Sequence, residues 1–72
     1  MVKLPVVSGY ELIKILSKHF SFRTLRQKGS HITLTNDIVF ITVPLHDELD
    51  KGTLNAILKD AYISREEFLK HV

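Results

Sequence analysis

The stretch "RQKGSH", Arg26 to His31, gathers the residue types in this chain best suited to chemistry on an anion. Arg26 and Lys28 lie two apart, so a regular strand projects both cations to one side. Gly29 lets the backbone come close to a phosphate, and the amides of Gly29 and Ser30 can donate to its oxygens. His31 follows at once. Imidazole, with an unperturbed pKa of about 6.5, works as acid or base near neutral pH. The plainer alternative is a surface hairpin: a solvated histidine, cations that blunt a strand edge, and a serine bonded to its own backbone.

The remaining titratable groups offer less. His19 and His71 fall at expected helix C-termini, where an imidazolium suits the helix dipole. A metal site is not expected, because the chain has no cysteine and no close histidine pair, and "HDELD" lacks the spacing of a known cation loop. Without cysteine there is also no disulfide framework and no thiol catalysis, which fits a cytoplasmic chain. No apolar run approaches the roughly 20 residues that span a bilayer, and the opening "MVKLPVVSGYELIK" has no signal-peptide pattern. No membrane association is therefore expected.

Charge is unevenly spread. Net charge is +2, yet no carboxylate occurs from Leu12 to Asn36, where Lys14, Lys18, Arg23, Arg26 and Lys28 all fall. One half of the chain thus suits a polyanion such as nucleic acid.

The elements that must position these groups follow from periodicity. Ser8 and Glu11 make an S-x-x-E capping box, and Leu12, Ile13, Leu16 and Phe20 recur at helical spacing, predicting a helix over Gly9–His19. "SFRTLRQ" alternates loosely, "KGS" breaks, and "HITLT" alternates strictly, with Ile32 and Leu34 opposite His31, Thr33 and Thr35. "ND" suggests a tight hairpin turn before the strand "IVFITV", which Pro44 ends. "LHDELDKG" reads as a loop, Leu54, Ile57, Leu58 and Ala61 as the stripe of a second helix, and Ser64 with Glu67 as a second capping box. The chain, residues 1–72, is expected to form one α+β domain. Its order is α-β-β-β-α, a two-layer sandwich whose three-stranded antiparallel sheet carries the helices on one face. Double-stranded RNA-binding domains share that topology, an analogy of fold only.

Taken in order, "SGYELIKIL", "RQKGSH", "VPLH" and "GTLNAIL" make the chain resemble the HicA toxins of HicA–HicB toxin–antitoxin modules. The resemblance covers nearly the whole sequence, and "RQKGSH" is its most specific part. It implies a double-stranded-RNA-binding-domain-like fold and a metal-independent, cofactor-free mRNA interferase. His31 of the G-S-H motif would be the catalytic residue. It also implies a HicB-like antitoxin that covers the site, with the free toxin a monomer. Metal-free cleavage uses the RNA's own 2′-hydroxyl, so the enzyme must supply a base, cations for the crowded phosphorane and an acid for the leaving oxygen. In that scheme His31 is the base or acid, Arg26 and Lys28 are phosphate ligands, and Gly29 and Ser30 are amide donors. His46 of the "VP-x-H" motif is a partner acid, a substrate contact or a structural residue, and a position just after a strand exit favours a supporting role.

Two departures stand out: Ser21 and Tyr62 occupy positions after the helices where the family often has glycine. Each helix end is therefore expected to close differently here. Two other function classes compete with the nuclease: a non-catalytic RNA-binding module, and an inactive homologue kept for protein interaction. Of two tyrosines and four phenylalanines, only Tyr10, Tyr62 and Phe40 look free, which argues against sequence-specific recognition on an aromatic platform.

Overall fold

A computed structural model describes residues 4–72. The elements are α1 (Gly9–His19), β1 (Arg23–Lys28), β2 (His31–Thr35), β3 (Phe40–Pro44), α2 (Lys51–Asp60) and α3 (Arg65–Leu69). The strands form one antiparallel sheet in the order β1-β2-β3. The expected α+β architecture is the one found.

Helix α1 starts where its capping box dictates. The Glu11 amide donates to Ser8 Oγ at 3.0 Å, and the Ser8 amide donates to the Glu11 carboxylate at 2.9 Å. Leu12 and Leu16 are fully buried, while Lys14, Ser17 and Lys18 stay exposed. On the sheet, Ile32 and Leu34 of β2 and Ile41 and Val43 of β3 alternate into the same core. Leu54, Ile57 and Leu58 of α2 and Phe68 of α3 complete it. Because all helical stripes enter this one core, the other side of the sheet is left bare.

Several boundaries differ from the sequence reading. Helix α2 begins at Lys51, inside the expected "LHDELDKG" loop, because Asp50 caps it by accepting the Thr53 amide at 2.7 Å. The same loop hides Leu49, a core residue tied down by its amide bond to the Val7 carbonyl. Only half of the second capping box forms. Ser64 Oγ accepts the Glu67 amide, whereas the Glu67 carboxylate lies 3.6 Å from Lys70 Nζ.

The connection after β2 is also longer than a two-residue "ND" turn. Strand β3 starts only at Phe40, because Asn36 Oδ1 accepts the amides of both Ile38 and Val39 and Thr35 Oγ1 accepts that of Asp37. These side-chain acceptors hold four residues in a local turn and withhold them from the ladder.

The helix ends close as glycine would close them. Ser21 and Tyr62 adopt φ of 61° and 59°, the left-handed conformation expected of a C′ glycine. After α2 the Tyr62 amide donates to the Lys59 carbonyl and the Ile63 amide to the Leu58 carbonyl, a Schellman motif with tyrosine in the glycine position. After α1 the Phe22 amide reaches back to the Leu16 carbonyl at 3.2 Å. The expectation of differently closed helices is corrected. Burial of Phe22 and packing of Ile63 on the core hold the chain in these turns despite the Cβ penalty.

Candidate functional site

Strand β2 carries His31 at its first position, exposed, with buried Ile32 beside it. The turn before it is short: Lys28 ends β1, His31 begins β2, and only Gly29 and Ser30 lie between. Gly29 has φ of 60°, while Ser30 stays at negative φ, the pattern of a type II′ hairpin turn with glycine at its first central position. A Cβ on Gly29 would meet nothing within 4 Å, so its backbone conformation, not its space, demands glycine. Among the described residues, neither the Gly29 nor the Ser30 amide donates to a protein acceptor. The Ser30 carbonyl is engaged by the Leu45 amide at 2.7 Å, and that of Gly29 by Gln27 Nε2 at 2.9 Å.

The two-residue turn sets Lys28 directly across from His31, so their backbones run about 5 Å apart. The next outward pair is Arg26 with Thr33. Both cations therefore share the bare face with His31, as the spacing of "RQKGSH" suggests. What the spacing did not reveal is a β-bulge between Thr24 and Arg26 that leaves Leu25 without a cross-strand partner. Phe22 is buried and Arg26 exposed, yet they are four residues apart, and a regular strand would put both on one side. The extra residue reverses the parity, keeping Phe22 in the core and turning Arg26 and Lys28 outward.

The face then reads in three rows across the sheet. Lys28, His31 and Pro44 form one, Arg26, Thr33 and Thr42 the next, and Arg23, Thr35 and Phe40 the last. Thr35 departs from the expected exposure of its row. It is 2 % exposed, lies between Arg23 and Phe40, and its hydroxyl donates to the Val39 carbonyl. Arg23 is held in a bidentate pair with Asp37, at 2.8 and 2.7 Å. That hydrogen bonding, and then the ion attraction, pushes the Asp37 carboxyl below and the Arg23 guanidinium above their usual ranges. Among the described residues Arg26 and Lys28 have no ion-pair partner. The cationic half of the sequence is thus divided in space. Lys14 and Lys18 sit exposed on α1 in the helix layer, while Arg26 and Lys28 face the other way from the sheet.

His46 does not enter these rows. It is exposed just beyond Pro44, and its carbonyl accepts the Gly9 amide at 2.9 Å. Gly9 is buried against the exit of β3, and glycine is required there because a Cβ would collide with the Pro44 carbonyl oxygen and lie 3.0 Å from Leu45 Cα. The "SG" and "VPLH" stretches are therefore two sides of one seam, where the start of α1 meets the exit of β3. The His46 charge also contributes to holding the Asp50 carboxyl low, behind the larger effect of the hydrogen bonds from Thr53.

No cavity opens on the bare face among those described. One of about 400 Å³ lies between the N-terminal segment, α1 and the C-terminal residues, and another of about 370 Å³ lies between α2 and the start of α3. Among the described residues no group of three or more histidine, aspartate or glutamate side chains is placed to hold a metal ion. None of their helices is long and apolar enough to cross a membrane.

The chain is thus a small α+β domain whose bare sheet face carries two unpaired cations and an exposed histidine at a type II′ turn. The family model described as HicA toxin of bacterial toxin–antitoxin matches residues 9–63, and the chain belongs to that family. It is accordingly a toxin of the toxin–antitoxin type, and membership implies an antitoxin as its partner. Neither a curated protein nor a solved structure matches the chain.

Proposed function

We propose that this toxin is a metal-independent endoribonuclease that cleaves mRNA on the bare sheet face, with His31 as its catalytic residue. The observation that carries the reading is the position of His31: exposed, directly across from Lys28, one row from Arg26, beside the unbonded amides of Gly29 and Ser30. A flat face suits a polymer better than a small molecule, which would need a cavity.

In this mechanism Arg26, Lys28 and the two turn amides bind the scissile phosphate. His31 takes the proton of the RNA 2′-hydroxyl as general base, or delivers one to the leaving 5′-oxygen as general acid. The 2′-oxygen bonds to phosphorus as the bond from phosphorus to the 5′-oxygen breaks, leaving a 2′,3′-cyclic phosphate and a 5′-hydroxyl. The cations and amides oppose the charge that builds on the phosphorane oxygens. His46 lies outside the rows of this face and supports the site only through its backbone carbonyl, which accepts the Gly9 amide. A HicB-like antitoxin neutralises the toxin by covering this face, and the toxin is a monomer without it.

The test is purified, antitoxin-free protein incubated with a defined RNA in EDTA. Cleavage with 2′,3′-cyclic phosphate ends, abolished by His31→Ala, is the expected result. RNA binding without cleavage under any condition would instead establish a non-catalytic RNA-binding module.

A further inference from the structure

Phe40 is 69 % exposed, although Ile41 and Val43 of the same strand are buried. Its ring belongs to neither the core cluster nor the residues packed against it, and it makes no aromatic contact among the described residues. The register sets it on the bare face, in the row of Thr35 and Arg23. One row lies between it and the row of His31, a distance of four residues along β3 or about 14 Å.

The face thus has two unlike margins. Along β1 run the unpaired cations Arg26 and Lys28, and along β3 stands one bare aromatic ring. Asp37, in the turn that leads into β3, is already neutralised by Arg23. A single strand of RNA has the matching asymmetry, with phosphates along one side and unpaired base faces along the other. A duplex hides its base faces and offers nothing for this ring to stack on.

We propose that Phe40 stacks on an unpaired base of a single-stranded RNA substrate whose phosphates run along β1, about two nucleotides from the bond cleaved at His31. The inference rests on the reading of this face as an RNA-cleaving site, and adds to it a residue that holds the strand. Because every base has a stacking face, a lone ring anchors the strand without choosing its sequence. That is consistent with the absence of a broader aromatic platform.

The test measures steady-state cleavage of a single-site, single-stranded oligonucleotide by wild type, Phe40→Ala and Phe40→Trp. Phe40→Ala is expected to raise KM about five- to tenfold with kcat nearly unchanged, and Phe40→Trp to preserve wild-type KM. Shortening the oligonucleotide past the second nucleotide on one side should raise KM for wild type but not for Phe40→Ala. The ring is outside the core, so far-UV circular dichroism and melting should match wild type. Wild-type cleavage with an unchanged Phe40→Ala KM would overturn the inference alone, as would length dependence that persists in Phe40→Ala. A Phe40→Ala defect confined to antitoxin binding would make the ring a protein contact and overturn it too. Failure of wild type to cleave or bind any RNA would fell the nuclease reading and this one together.

Discussion

His31 is an exposed side chain that takes part in no hydrogen bond or ion pair among the described residues, so its removal should not disturb the fold. His31→Ala is expected to lower cleavage by about a hundredfold or more while the melting curve stays in place, checked by single-turnover assays beside calorimetry. Lys28→Ala and Arg26→Ala should raise KM and flatten the dependence of affinity on salt, and lower kcat as well, because both cations oppose the charge on the phosphorane. Asp37→Asn makes the opposite case. It releases Arg23 from its bidentate pair and adds a third free cation to the face. The slope of log affinity against log salt should steepen by about 0.7 for a single-stranded RNA, measured by titration at four salt concentrations.

At the scale of elements, the unusual feature is that Ser21 and Tyr62 sit where glycine is at home. Both carry a Cβ in left-handed conformation, so Ser21→Gly and Tyr62→Gly should each stabilise the protein by about 1 kcal/mol. In a domain of this size that corresponds to a melting temperature raised by about 4–8 °C, read by calorimetry. Gly9 is the converse. Alanine is the better helix former, yet a methyl there would strike the Pro44 carbonyl and push α1 off the exit of β3. Gly9→Ala should destabilise by about 1–3 kcal/mol, seen as a lower urea midpoint.

For the whole molecule, the matched family region ends at residue 63, but the core does not. Phe68 is fully buried and lies in α3, a helix of 5 residues that has no stability of its own and is held by that ring. Phe68→Ala should cost about 3–5 kcal/mol, comparable with the entire stability of a small domain, so the variant should be largely unfolded by circular dichroism. The same end of the chain is expected to be acid-sensitive. The His19 ring stacks on that of His71 at 4.0 Å, and His71 meets Phe20 edge-on. Partial desolvation, then the charges of His71 and Lys18, lower the His19 pKa below 6.5. The unfolded chain therefore binds a proton more readily than the folded one between those two values, and stability falls as pH drops through 6.5. Urea midpoints at pH 7.5 and 5.5 should differ in that sense, and by less in His71→Gln.

Much of this was legible in the residues alone. Capping boxes, apolar periods and turn residues are local, so α1 and the strict alternation of β2, with His31 facing away from the core, could be read directly. The motif "RQKGSH" named the candidate site for the same reason: the turn and its flanking cations are contiguous. Tertiary structure decided what depends on distant partners. The bulge at Leu25 lets a strand serve the core at Phe22 and the open face at Arg26, and neither demand is visible from the strand itself. Helix α2 starts early because the Asp50 carboxylate is free to cap it. Ser21 and Tyr62 take a glycine's conformation because core packing on either side outweighs the Cβ penalty. Phe40 was one of three free aromatics in the sequence. Only the register of β2 and β3 set its ring, alone among them, on the face that carries His31.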